Sequence, residues 1–593
     1  MMIQALIAYA ERENLGDPDF ETVGVRWLVS LTADGQLAGL IPSVENPGEK
    51  KPRPKRMVRP KSDPDFVAHG RSYFLCDSLE RATVFVEDDS KREKRRENQS
   101  YFLNLLEEAA KGCAPESLRL KILAGFLRDD AKLEGLYSKL REVKAKTSDN
   151  VAFQVDGQSL LISVDLKAWW RQKNQRQRED QEKVESVCLA TGRFGVVCRT
   201  TGFIKLLGED TKLISFNKEC PAFESLGLSQ AANAPISVAA EENFRSALNT
   251  LIEKSRAQNL VFNDTIHLHW SRVPLNDDPI DLLVSGDNDA VAALFESINT
   301  GKRYVGLDAN AYYALSLTGN GARIVVRDWL ESTVEEVTHK VAQWFSDLTI
   351  INPSGIGIRR DFSIWGLLSV LVPRKDGKPD FDKLPPHFSV ALIRSVLTGK
   401  NIPLAILAAA IRRQHLEQKR PSDKSDPKLN PARIALIKAC LLRSPNKNQT
   451  DTMTEKLDPQ SKDRAYRCGQ LFAVIGRLQL LALGTVGASI AERTYGGVAT
   501  RPATTFGPLF TKLPAYLKKS NTRFPGSGTN KQKEIESLCV CLEELGGIPK
   551  TLGLEEQGRF ALGYYSQLAQ YRADRAENEA ESKVAELDTA AEA

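Results

Sequence analysis

Histidine and methionine are scarce, with six and four residues among 593. The shortage of histidine limits metal and acid–base chemistry. Only His267 and His269 stand together, in IHLHW, where a strand would turn both to one face. No acidic or Cys/His cluster flanks them in sequence, so no metal site is expected. The nine cysteines are scattered. Cys539 and Cys541 lack the second pair of a zinc knuckle, and so do Cys188 and Cys198. So loose a distribution suits a reducing compartment, and the cytoplasm is the expected location. Long apolar runs are missing too. The longest, around Ile402 to Ile411, is about half of the ~20 residues that span a bilayer, so no membrane association is expected. The opening MMIQALIAYAEREN has no basic stretch ahead of its apolar residues, as a signal peptide would. No phosphate-binding lysine loop, dinucleotide glycine fingerprint, nucleophile elbow or His-Asp dipeptide occurs. These absences argue against an enzyme and against a bound cofactor. They favour a large binding or scaffold protein.

The composition that remains is globular: 42% hydrophobic and 26% charged. The length suggests about two to four domains. A near balance of 81 basic and 76 acidic residues, net +5, conceals local bias. From Lys50 to Lys61 there are seven cations and no acid, so the rest of the chain sums to −2. Pro52, Pro54 and Pro60 forbid a helix there, and an extended basic arm or long loop is expected. Such an arm suits a polyanion, because each phosphate it neutralises releases counterions. Its candidate contacts are Lys51, Arg53, Lys55, Arg56, Arg59 and Lys61. A second basic stretch begins at Lys91, and a third, from Lys167, carries Trp169 and Trp170. These rings either stack exposed bases or close a core, and the core is the better expectation. Residues 453–571 carry 15 basic and 10 acidic groups, whereas the last 22 residues carry 3 and 7.

Hairpins are expected where alternating apolar residues flank turn signals: at Asp34-Gly35 as a type I′ turn, at Asp156-Gly157 and at Gly319-Asn320-Gly321. Residues 100–145 read as helical. Beyond Pro385 the strand signals stop. Leu471, Val474, Ile475, Leu478 and Ala482 recur at helical spacing, as do Phe560, Tyr564, Leu568 and Tyr571. Tyr466, Phe472 and Tyr495 are expected in the same core. The fold class is therefore α+β: an N-terminal mixed α/β part with β-hairpins and long basic loops, then a C-terminal all-helical bundle. The expected divisions are 1–165, 166–384 and 385–593.

Several longer strings resemble one family. The C-terminal half contains LIRSVLTGKNIPLAILAAAIRR, IALIKACLLR, LDPQSKDRAYRCGQLFAVIGRLQ, ASIAERTYGGVATRPATTFGPLF and LEEQGRFALGYYSQLA. Upstream stand MIQALIAYAER, RSYFLCDS, the TGR at 191–193, ISFNKECPAFESLGLSQAANAPIS and YYALSLTGNGARIVVRDW. In this order they resemble the large subunit of the type I-C (Dvulg-subtype) CRISPR interference complex, Cascade, over nearly the whole chain. Two departures stand out: SLERATVFVE follows Asp77 in place of the family's turn, and a cysteine pair of some members is reduced to Cys188.

The resemblance implies a subunit at the foot of an RNA-guided complex. It would recognise a protospacer-adjacent motif in double-stranded DNA, help open the duplex, hold the displaced strand and recruit a helicase-nuclease. Its partners would be the CRISPR RNA, the target DNA, the backbone, RNA-handle and small subunits, and that nuclease. Arg71 joins the basic arm as a duplex contact. Asn217, Gln230, Asn233 and Ser237 either read base edges or satisfy turns. Phe223 either wedges a base step or packs in a core. Arg467, Arg477, Arg493, Lys518, Lys519 and Arg523 would line a path for the displaced strand. The resemblance also implies a separate small subunit, for which Met453 is the candidate internal start. The rival readings are a purely structural scaffold and a degenerate metal-dependent nuclease.

Overall fold

The structure, a computed structural model, describes residues 2–17, 19–45, 52–61, 72–179, 184–217, 220–224, 227–275, 277–300, 310–418, 429–445, 453–484 and 488–591. The chain divides into two units: Met1–Ile252 with Gly319–Ile324, and Glu253–Thr318 with Val325–Ala593. No described helix is long and apolar enough to cross a membrane.

The first unit opens with helix α1 (Met2–Arg12) and strands β1 (Phe20–Val25), β2 (Trp27–Leu31), β3 (Leu37–Pro42) and β4 (Val44–Glu45). Trp27, Val29 and Leu31 are buried in alternation, as a strand with one face in a core requires. The β2–β3 hairpin forms where expected, but its turn is not type I′. Of Asp34 and Gly35, only Gly35 has positive φ (76°), and Thr32 N bonds Gln36 O across a longer loop beside a register shift.

Residues Arg53–Pro60, expected as an arm or loop, form strand β5. It pairs antiparallel with β1 along its length and with β4 at its start, in the order β1-β5-β4. The prolines exclude a helix, as expected. They do not exclude a strand, because Pro54 and Pro60 sit near its two ends, where a missing N–H is tolerated.

A second sheet contains β3, β2, β7 (Asn150–Val155) and β6 (Cys76–Ser78) in that order, with β8 (Gln158–Ser159) off β7. The β2–β7 pairing is parallel. The chain between them includes helices α2 (Arg92–Gly112), α3 (Ser117–Arg128) and α4 (Asp130–Glu142). Asp129 starts α4 by accepting from the amides of Ala131 and Lys132. Phe74, Phe102, Phe126 and Phe153 are fully buried in the common core. Helix α5 (Val164–Glu179) adds Trp170, stacked 5.2 Å from Phe74, and Trp169, 5.4 Å from the same ring. The tryptophans close a core, as expected. Strands β9 (Glu185–Val187), β10 (Phe194–Val196), β11 (Ile204–Leu206) and β12 (Glu209–Thr211) form two small hairpins before helix α6 (Val238–Ala257).

The second unit holds most of a four-stranded sheet of β13 (Val261–Phe262), β14 (Thr265–Ser271), β15 (Ala311–Asn320) and β16 (Arg323–Thr333), of which the β15–β16 tip, Gly319–Ile324, counts with the first unit. Helix α7 (Val334–Leu348) shares its core. After Pro385 every described element is a helix: α8 (Pro386–Thr398), α9 (Leu404–Gln418), α10 (Pro431–Leu442), α11 (Arg464–Leu483), α12 (Ile490–Thr500), α13 (Pro502–Phe510), α14 (Leu513–Arg523), α15 (Ser527–Glu544) and α16 (Leu554–Ala591). Pro431 and Pro502 occupy first turns, and Ser489 with Glu492 makes a capping box at α12.

Helix α16 serves two cores. Ala561, Leu562, Tyr565 and Ala569 join the core of α7–α10. Phe560 and Tyr564 join Phe472 and Tyr495 in the core of α11–α16. Tyr466 is only partly buried and packs against the former.

Candidate nucleic-acid interface

Strand β5 presents its cations unequally. Lys55 and Arg56 are exposed. Arg56 pairs with Gly24, and Lys55 with Val25. Arg59 is only 7% exposed. Its guanidinium donates to Glu21 Oε1 at 2.9 and 2.7 Å and to Cys76 O at 3.3 Å, and lies 3.5 Å from the Tyr73 ring centre. Burial alone would raise the Glu21 carboxyl, but the charge and hydrogen bonds of Arg59 outweigh it and hold it low. Lys61 is buried and ion-paired with Glu242, which also accepts from Arg245. Burial, aided by Arg245, pushes the Lys61 ammonium down to about 7. Arg59 and Lys61, expected to face a polyanion, are thus committed to partners inside the unit. Arg53 lies on β5 opposite Glu45. Lys51 and Arg71 lie outside the described residues.

The polar candidates of the central string are mostly occupied by the backbone. Ser237 sits just before α6, where its hydroxyl oxygen accepts from the Ala240 amide. Asn233 donates to Gln230 O, and Gln230 itself has positive φ (48°). Asn217 is exposed and accepts from Arg323 at 2.6 Å. Phe223 is half-buried, edge-on to Phe216 at 5.5 Å.

The bundle cations also separate. Arg467 is 6% exposed and holds the carbonyls of Pro459 and Ser461 and the side chain of Gln470. It fastens the segment before α11 and offers nothing to a strand. Arg477 is half-buried. Arg493, Lys518, Lys519 and Arg523 are exposed, although Arg493 donates to Ala488 O and Arg523 to Leu481 O. Sequence reading missed their setting. Between Glu492 and Glu534 there are eight cations and no acid, so Arg501, Lys512 and Lys533, all exposed, belong to the same surface stretch. The missing carboxylates were the available signal.

The two sheet histidines serve the interior. His267 Nδ1 lies 2.8 Å from Ser316 Oγ. His269 meets Asp278 Oδ2 at 3.0 Å through Nδ1 and Gln258 Oε1 at 3.1 Å through Nε2. Tyr312 donates to the other Asp278 oxygen at 2.7 Å. Burial pushes His267 down to about 3. Burial would raise Asp278, but His269 and Tyr312 hold it at about 2. Among the described residues, no group of three or more His, Cys, Asp or Glu is placed to hold a metal ion.

No curated protein matches the chain. A family model does: that of the CRISPR-associated protein (Cas_Csd1) matches residues 6–572. With all but the two ends of the chain aligned, the protein belongs to this CRISPR-associated family, as the sequence strings anticipated.

Proposed function

We propose that the protein is the large subunit of a type I-C RNA-guided surveillance complex in the cytoplasm. It recognises the protospacer-adjacent motif in double-stranded DNA, helps to open the duplex, holds the displaced strand and recruits the helicase-nuclease. It cuts nothing itself and uses no cofactor. Its partners are the CRISPR RNA, target DNA and the backbone, RNA-handle and small subunits. The observation that carries this reading is the pair of exposed cations, Lys55 and Arg56, on a strand held on both sides by neighbours. The acid-free stretch from Arg493 to Lys533 supplies a path for the displaced strand. The test is the affinity of the assembled complex for motif-bearing duplex across salt. Replacing Lys55 and Arg56 by Ala should weaken binding and reduce the salt slope by about two charges' worth. An unchanged slope would remove β5 from the DNA interface. Incubation with duplex and magnesium or manganese should give no cleavage.

Met453 is proposed as an internal start. The product would include residues 453–593. All the buried residues of the α11–α16 core lie after Met453. A fragment of this size should co-purify with the complex and vanish in Met453→Leu; its absence from mass spectra of the wild-type complex would count against the start.

A further inference from the structure

The β9–β10 hairpin has two unlike faces. On one, Val187 and Phe194 lie directly opposite each other across the strands. Phe194 is 69% exposed, Val187 51%, and Leu189 at the turn 65%. Large apolar side chains rarely gather in the open without a partner. The other face is pinned down. Cys188 and Ala190 are buried. Gln4 donates to Ala190 O at 3.1 Å, Leu189 N bonds Pro235 O, and Val197 bridges to Ser237. Ser237 and Thr191 hydrogen-bond the Cys188 sulfur. The turn itself closes through Cys188 N to Arg193 O and Gly192 N to Cys188 O, with Gly192 at φ 71°. The exposed trio is therefore held rigidly from behind.

The charge around it points to one class of occupant. Residues 186–206 contain Arg193, Arg199 and Lys205 and no acid, and Glu185, exposed at the far end of β9, is the carboxylate of the hairpin strands. All three cations are exposed. A base joined to phosphates needs both an apolar face and cations beside it. We infer that the hairpin tip is a stacking platform for an unpaired nucleobase of a single strand. Phe194 supplies the ring, Val187 and Leu189 its flanks, and Arg193 and Arg199 the contacts to adjoining phosphates. A rigid aromatic face accepts any base and loses little entropy on binding. The inference rests on the nucleic-acid reading above and gives it a further site, beside Lys55 and Arg56 and the Arg493–Lys533 stretch.

The test compares the full-length chain with Phe194→Ala and Phe194→Tyr. The probes are an oligothymidylate single strand and a blunt duplex of equal length. Phe194→Ala should weaken single-strand binding about five- to a hundredfold and leave the duplex unchanged. Phe194→Tyr should bind as the wild type does. Unchanged single-strand binding by Phe194→Ala overturns the platform while leaving the wider reading intact. So does unchanged binding combined with loss of a co-purifying subunit, which would make the tip a protein contact. Failure of the wild type to bind either probe overturns the nucleic-acid reading and the platform together.

Discussion

Gly469 on α11 and Gly563 on α16 each lie against the other helix's main chain. A Cβ at Gly469 would stand 2.1 Å from Phe560 O, and one at Gly563 would stand 2.1 Å from Tyr466 O. Side chains can swing away from a clash, but a helix backbone cannot. Gly469→Ala and Gly563→Ala should each lower stability by about 3 kcal/mol, the upper end of overpacking costs. Gly476, on α11 too, has nothing within 4 Å of a built Cβ. Gly476→Ala should therefore gain up to about 1 kcal/mol from helix propensity. Denaturant unfolding of the three variants checks both signs.

Cations on one strand should separate into two classes. Arg59→Ala leaves Glu21 half-buried without its partner and empties the space under Tyr73, so stability should fall by about 3 kcal/mol. Lys55→Ala and Arg56→Ala should change the melting temperature little, because exposed charges contribute little to folding. DNA affinity should respond in the opposite order, once measured on variants that remain folded.

Acid should weaken the second unit in two steps. His267 is neutral when folded, with its proton affinity pushed down to about 3, but an unfolded histidine takes a proton near 6.5. Between those values the unfolded state holds more protons, so stability falls as pH falls through the window. Asp278, held at about 2 against 3.8 unfolded, adds a further loss below about pH 4. Urea midpoints measured from pH 7 to 4 should fall less steeply for His267→Leu than for the wild type, whatever its stability at pH 7.

Lys518→Ala with Lys519→Ala should lower affinity for single-stranded DNA. Each lost phosphate contact on a single strand reduces the salt slope by about 0.7, so the pair should reduce it by about 1.4. Titrations of the assembled complex across salt give the slope directly. A slope equal to the wild type's would place the displaced strand elsewhere.

The sequence announced what local physics decides. The hairpin at Asp34-Gly35, though not its turn type, the hairpin at Gly319–Gly321, though its turn lies at Gly321-Ala322, and the helices after Pro385 follow from spacing and turn residues. Strand β5 did not announce itself. KPRPKRMVRPK has no apolar alternation, and its pairing partner β1 lies some thirty residues upstream. What makes it a strand is tertiary: two neighbours, and the burial of Arg59 and Lys61 against Glu21 and Glu242. The same limit applies to Arg467, which looks in sequence like any other surface cation. Nothing in the spacing around TGRFGVV marks Phe194 as exposed, because the hairpin that holds it is set by distant contacts to Gln4 and Pro235.

Helix α16 supplies side chains to both cores of the second unit and comes after the other helices described there. Synthesis runs from the N-terminus, so α7–α15 leave the ribosome before the helix that completes them. Neither core can close until residues 554–571 have emerged. The second unit must therefore finish folding after most of its chain has been made, with apolar helix faces uncovered in the interval. For this half of the protein, time spent waiting for α16 is time exposed to aggregation and to chaperones.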